Sequence, residues 1–291
     1  MLGVCRLPNR TQGTEHLTNA ELPVTEMSAR SLLQHALDDL ISGARLRQLW
    51  LHLAFHDIRQ RFRRSVIGPL WLTLSMGIMV GALGLVFSTL FQQDVSKTLP
   101  FIATGLIFWG LLVSCVGEGT TVFIGAESYI RNVPMPISVH FYRMIARNTM
   151  IWLFNMVIYL VVVVWFKVIP NYNTVYVIPG FVVFLANMSW MSMMAAILST
   201  RYRDIPQVIM NAIQVVFFVT PVFWSAETLP KRPAFVLFNP FYHLLELVRA
   251  PLLGNEVPAI SWTACICMAL IGFAVTGWLY GRTHSRIAYW V

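Results

Sequence analysis

From Val66 the chain turns apolar and stays so to about Phe91, and five more apolar runs follow. The six runs lie at about residues 67–91, 99–123, 144–169, 176–199, 207–224 and 261–281. A helix that crosses a bilayer needs about 20 mainly apolar residues, so the pattern predicts six transmembrane helices. Short polar stretches separate them, among them Asp94 to Lys97, Pro170-Asn-Tyr-Asn173 and Arg201-Tyr-Arg-Asp204. Upstream, Leu46, Leu49, Trp50 and Leu53 recur at helical spacing, and Phe55, Ile58 and Phe62 form a second, offset stripe. Arg45, Arg47, Arg59, Arg61, Arg63 and Arg64 supply a cationic side. Residues 31–66 therefore predict an amphipathic helix in the headgroup plane, joined directly to the first span. An amphipathic helix packed on a soluble domain is the competing reading, and the direct run into a span opposes it. Residues 1–30 are polar and aperiodic, with no apolar signal-peptide core, and predict a disordered cytoplasmic tail.

Two stretches depart from the simple alternation of span and loop. Between the second and third spans lies Gly125-Ala-Glu-Ser-Tyr-Ile-Arg-Asn-Val-Pro-Met-Pro136. Its residues Glu127, Ser128, Tyr129, Arg131 and Asn132 suit a short helix that Pro134 and Pro136 would stop. Such a helix across two span tips can act as a lever for a soluble partner, or be a plain connecting turn. Between the fifth and sixth spans, Pro221 ends an apolar run early, and residues 238–249 are helical and apolar but too short to cross. Asn239-Pro240 reads as a helix start, with Asn capping and Pro at the first helical position. These features predict re-entrant half-helices, which bilayers tolerate only against protein or an aqueous cavity; a merely anchoring interfacial helix is the alternative. At the first span, Gly68-Pro69 predicts the turn from the surface into the membrane.

Composition reinforces the membrane reading. The 291 residues are 57% hydrophobic and 12% charged, against about 25% charged in soluble domains. The net charge of +8 is spread between apolar runs rather than gathered in one patch, which favours a membrane surface over nucleic acid. With both termini inside, 16 of the 21 Lys and Arg lie on the cytoplasmic side, all but Lys97, Lys167, Lys231, Arg232 and Arg249. That is the positive-inside bias. The expected organisation is thus a tail (1–30), an interface helix region (31–66), a six-span domain (67–281) and a cytoplasmic C-terminal tail (282–291).

Chemistry-bearing residues are sparse. Cys5, Cys115, Cys265 and Cys267 form no CxxC pair, so neither a disulfide framework nor a metal site is indicated. His140 and His243 fall on opposite membrane faces with no flanking acidic pair, which opposes an integral-membrane enzyme acting on glycolipids. A secondary transporter would show related halves and charged mid-span residues; Glu118 is the one clear candidate. Glu118 either faces a cavity, as intramembrane acids usually do, or reaches solvent or pairs with Arg143 or Arg147. Arg203 and Asp204 are placed to pair in a cytoplasmic loop. Gly77-x-x-x-Gly81 is a spacing that permits close helix approach, within one chain or between two.

Several of these motifs occur together in one order. Arg61-Phe-Arg-Arg-Ser-Val-Ile-Gly68-Pro-Leu-Trp71, Gly105-Leu-Ile-Phe-Trp109, Glu118-Gly-Thr120, Arg201-Tyr-Arg-Asp204, Pro221, Leu229-Pro230, Asn239-Pro240 and Arg249 resemble the pattern of polysaccharide-export ABC transporter permeases. O-antigen and capsular exporters are the nearest kind, and teichoic-acid exporters are similar. The segment Arg131-Asn-Val-Pro-Met-Pro136 departs from the string many relatives carry there.

The resemblance implies a homodimer of six-span permeases in the bacterial inner membrane, with two cytoplasmic ATPase subunits and a lipid-linked glycan as substrate. Glu127, Ser128, Tyr129, Arg131, Asn132 and Pro134 would meet the ATPase. This chain has no G-x-x-x-x-G-K-[ST], so ATP and magnesium would sit on the partner. Aromatic rings that stack on sugars suit a sliding polymer, and Phe108, Trp109, Phe217, Phe218 and Trp224 are the expected channel lining. Gly68, Pro69, Glu118, Arg203, Asp204, Pro221, Asn239 and Pro240 are the expected gate and structural positions. A drug or small-lipid exporter is the alternative within the same class.

Overall fold

The structure is a computed structural model, and it describes residues 29–63, 65–68, 70–169, 171–225 and 234–291. Residues 1–28 of the expected disordered tail, Pro69 and Leu229-Pro230 lie outside the described residues, while Ala29 and Arg30, expected in the tail, are the first residues of a helix. Among the described residues the regular structure is entirely helical. Five helices are long and apolar enough to cross a membrane: α3 (Leu70–Leu90), α4 (Val95–Gly119), α6 (Ser138–Phe166), α7 (Val177–Arg201) and α11 (Ala259–Trp290).

The fifth expected span differs from the other five. It is realised as α8 (Ile205–Val219), whose 15 residues reach roughly 22 Å against a hydrocarbon core of about 30 Å. The cause is local. Thr220 takes an extended conformation at φ −89 and ψ 133, because the residue before a proline is steered out of the helical region. Pro221 thus ends the helix at Val219, and Val222 to Trp224 continue as irregular chain.

Three further boundaries depart from the expected pattern. The single interface helix is two helices, α1 (Ala29–Arg45) and α2 (Arg47–Arg61), with a break at Leu46, where φ is −77 and ψ 36. The polar stretch at Asp94 to Lys97 is the start of α4: Asp94 caps it, accepting from the Ser96 N–H at 3.0 Å. The C-terminal residues 282–290 are helix rather than tail, as α11 runs on to Trp290.

The interior centres on α4, whose residues Ile102, Ala103, Ile107, Phe108 and Leu112 are almost wholly buried. Around it pack α3, α6, α7 and α10 (Pro240–Leu252). Close approach to α4 depends on glycine. A Cβ on Gly105 would lie 2.2 Å from the Val222 carbonyl oxygen, so only glycine lets the chain after α8 cross there. Gly77 faces Ile158 of the same chain, whereas a Cβ on Gly81 would meet open space. Described arginines gather at the end of the molecule that carries the short helix α5 (Glu127–Asn132); Lys97, Lys167 and Arg249 lie toward the other.

Candidate functional site

The α5 end carries a short exposed helix and three carboxylates that bond other helices, Asp39, Asp57 and Glu118. Helix α5 follows a 3-10 turn, Ile124–Ala126, off the tip of α4. It stops where Val133 turns extended before Pro134. Glu127, Ser128, Tyr129, Arg131, Asn132 and Pro134 are all exposed. Glu127 and Arg131 pair at 3.1 Å along the helix, and Asn132 donates to the Ser128 carbonyl at 2.8 Å. Arg131 also donates to the Val291 carbonyl, while Ile130 packs against the buried cluster of Phe123, Phe141 and Tyr280. The helix therefore offers one face outward and seats the other on the ends of α6 and α11.

Two aspartates that the sequence did not single out hold this end together. Asp39 of α1 accepts from the backbone N–H groups of Ile137 and Ser138 at 2.8 and 3.1 Å. Those are orphan donors at the start of α6, where a negative charge also meets the positive helix end. The same carboxylate accepts from Tyr280 at 2.8 Å and lies 3.4 Å from His284. Burial pushes its carboxyl up, but the bonds from His284, Tyr280 and Ser138 outweigh that and hold it below the usual Asp value. Asp57 of α2 is gripped by Arg143, with one contact at 2.7 Å, and by Arg147 at 2.9 Å. Burial raises this carboxyl too, and the two guanidiniums bring it below its ordinary value. Arg147 then reaches Glu118 at 2.6 Å, where Asn148 adds a bond at 2.8 Å. Glu118 is thus paired, and its partner is Arg147 rather than Arg143. The aspartates were legible only as acids interrupting basic helices.

The opposite end is organised by a buried charge. Arg249 of α10 is 1% exposed. Its Nη1 donates to the Pro221 carbonyl at 2.7 Å, and its Nε and Nη2 reach Glu246 at 3.1 and 2.5 Å. The guanidinium also lies 4.0 Å from the centre of the Phe101 ring, a favourable position over a π face. Asn239 caps α10, accepting from the Phe241 N–H at 2.9 Å, and its amide donates to Thr220 at 2.9 Å. Pro240 sits at the first helical position. His243 bridges Ser261 and the Leu237 carbonyl at 2.9 and 2.8 Å. The break after α8 and the start of α10 are therefore one hydrogen-bonded unit, locked to α4 through Phe101 and Gly105.

The sequence profile of the ABC-2 type transporter family matches residues 48–253, from the first turn of α2 to just past α10. The chain belongs to the ABC-2 type transporter family. It is similar to the O-antigen export system permease protein RfbA of Myxococcus xanthus, 21% identical over 215 residues, or 73% of this chain and 83% of that one. It is also similar to the RfbA protein of Klebsiella pneumoniae, 20% identical over 228 residues, or 75% of this chain and 87% of that one. The matched stretch of this ABC-2 type transporter chain contains α5, Asp57, Glu118 and the Arg249 unit. Helices α1 and α11, with the Asp39 clamp between them, lie outside it.

The aromatic residues expected along a path fall into two groups. Phe108 is fully buried and packs on Trp152, Phe181 and Phe184, so its ring belongs to the interior of the chain. Trp109 is also largely enclosed, with its ring 5.5 Å from Phe217 and 6.2 Å from Phe241. Phe218 is 62% exposed on α8. Trp224 lines a cavity of about 730 Å³ beside Phe91, Phe101 and Phe223, with Lys97, Asp94 and Asn255 as polar neighbours. In the loop before α8, Arg203 donates to the Trp290 carbonyl at 3.1 Å instead of meeting Asp204, and Asp204 precedes α8 without a side-chain cap bond. Gly68 has φ +65, a conformation that favours glycine, and its N–H donates to Ser65 at 3.1 Å. Among the described residues there is no cluster of acidic, His or Cys side chains that could hold a metal ion.

Proposed function

We propose that this chain is the permease subunit of an ATP-driven exporter that carries a lipid-linked polysaccharide, of the O-antigen or capsule kind, across the bacterial inner membrane. The reading is carried by the likeness to two O-antigen export permeases over about three-quarters of the chain. Two copies form the path, and two ATPase subunits supply ATP and magnesium from the cytoplasm. Positive residues favour the cytoplasmic face, which puts the α5 end and both termini inside.

In this mechanism α5 receives the push. Its exposed face meets the ATPase, and its seated face passes motion to α4 through the 3-10 turn and to α6 and α11 through Ile130 and Arg131. Helix α8 supports a polar path. Gln207, Asn211 and Gln214 are exposed at helical spacing on it, with Gln207 donating to Asn211 at 3.0 Å. An amide stripe facing lipid tails would be costly, so water, sugar or a second copy is the natural neighbour. Phe218 on the same helix and Trp224 beyond it offer rings on which sugar faces can slide.

The test is a chromosomal deletion of the gene, followed by analysis of lipid-linked glycan in inner-membrane and surface fractions. Glycan should accumulate inside and disappear from the surface, and the wild-type chain should restore it. Unchanged surface glycan would sink the polysaccharide reading and move the substrate to drugs or small lipids.

A further inference from the structure

Helix α2 and one flank of α6 enclose a groove of about 1020 Å³. Its two sides differ in chemistry. His56, Arg59, Gln60 and Arg63 line it from the α2 side, and all four are exposed. Phe55, Phe62, Leu153 and Phe154 make the apolar part of the wall. The cations are not used within the chain. Asp57 is the only acid on α2, and Arg143 and Arg147 already hold it. Among the described residues neither Arg59 nor Arg63 makes an ion pair. Two guanidiniums without a carboxylate of their own suit an anion from outside the chain, and a phosphate matches their planar fork.

The apolar wall continues past the groove along α6. Leu153, Val157, Val161 and Val164 are all exposed, and their spacing of four, four and three residues keeps them on one flank of the helix. From Leu153 to Val164 this track runs about 16 Å at about 1.5 Å per residue. That is close to one leaflet of a hydrocarbon core about 30 Å thick. A small soluble anion would leave the track and the aromatic wall uncovered, and a neutral lipid would leave the arginines unmatched. We propose that the groove binds one anionic glycerophospholipid of the surrounding bilayer, its phosphate between Arg59 and Arg63 and an acyl chain along α6 from Leu153 to Val164. The inference stands apart from the export reading, since it requires only that the chain sits in a bilayer. A lipid-linked sugar also joins a phosphate to an apolar tail; the one-leaflet length of the track favours the phospholipid.

The full-length protein, delipidated in detergent, is titrated with phosphatidylglycerol and with phosphatidylcholine of the same chain length, and bound lipid is counted by native mass spectrometry. The wild type should prefer phosphatidylglycerol by about tenfold, and the double variant Arg59→Gln, Arg63→Gln should lose most of that preference. The double variant Arg45→Gln, Arg47→Gln removes as much charge from exposed positions outside the groove and should keep it. Equal binding of the two lipids by the wild type would overturn the proposal. So would equal loss in the two double variants, which would mean a diffuse attraction with no site. Protein purified gently from a host unable to make lipid-linked glycan should still carry the phospholipid. If a lipid is retained only from a host that makes the glycan, the occupant is the lipid-linked sugar and the phospholipid assignment fails.

Discussion

Arg249 shows how much one side chain can hold. Its guanidinium serves Pro221, Glu246 and the face of Phe101 at once. Removing one partner of a buried pair typically costs about 3–5 kcal/mol, because the other charge stays behind. Arg249→Ala should therefore destabilise the purified protein by about that amount, read as a lower melting temperature in detergent. Arg249→Lys should rescue little, since an ammonium lacks the planar fork that reaches Glu246 and Pro221 together. Asp39 and Asp57 give a pH prediction. Both carboxyls are held below the ordinary Asp value, so their contribution is present above about pH 3.9. It is lost as pH falls from there through the folded-state values. Hydrogen-exchange protection at α1 and α2, taken relative to the intrinsic rate at each pH, should fall on acidification through that range, and Asp57→Asn should show the lower protection already at pH 7.

At the scale of elements, α5 and the glycine contacts behave differently. Replacing residues 127–132 with a flexible Gly-Ser string should leave insertion and melting nearly unchanged, because no residue of α5 is buried. It should nevertheless abolish surface glycan while ATP hydrolysis by the partner persists. Gly105→Ala has the opposite profile: a Cβ 2.2 Å from a backbone oxygen forces the chain after α8 away from α4, so melting falls along with transport. On α8, Asn211→Leu should slow export without loss of folding, because Asn211 is exposed and its bond among the described residues runs along its own helix.

The elements were legible in the sequence to different degrees. The spans at α3, α4, α6, α7 and α11 are written in hydropathy, a property of composition along one segment. The short helix at 127–132 and the cap at Asn239 are written in local turn chemistry, and both occur at the expected residues. The division of the N-terminal helix at Leu46 was not visible, because no Gly or Pro marks it. Pairing of Glu118 with Arg143 or Arg147 was one of the readings open in the sequence, and Arg147 is the partner; the choice between the two arginines, and the grip of Asp39 on α6 and α11, are contacts between segments far apart in sequence. Periodicity carries no information about those. The burial of Phe108 likewise depends on how α4 is surrounded, since most of its residues are buried on every side and the apolar run alone does not say which neighbours cover each face.

For the molecule as a whole, α8 has no buried residue and sits at the edge against α4 and α7. Its exposed amides need a neighbour, and a second copy is the simplest one. Native mass spectrometry should accordingly find twice the 33.1 kDa of one chain. The Asp39 clamp has a consequence in time. Its hydroxyl partner, Tyr280, lies 241 residues later, and synthesis proceeds at about 5–20 residues per second. For roughly 10 to 50 seconds after Asp39 leaves the ribosome, its final partner does not exist. Helix α1 can seat on the start of α6 in that interval, and its bond to Tyr280 forms only once α11 has been made.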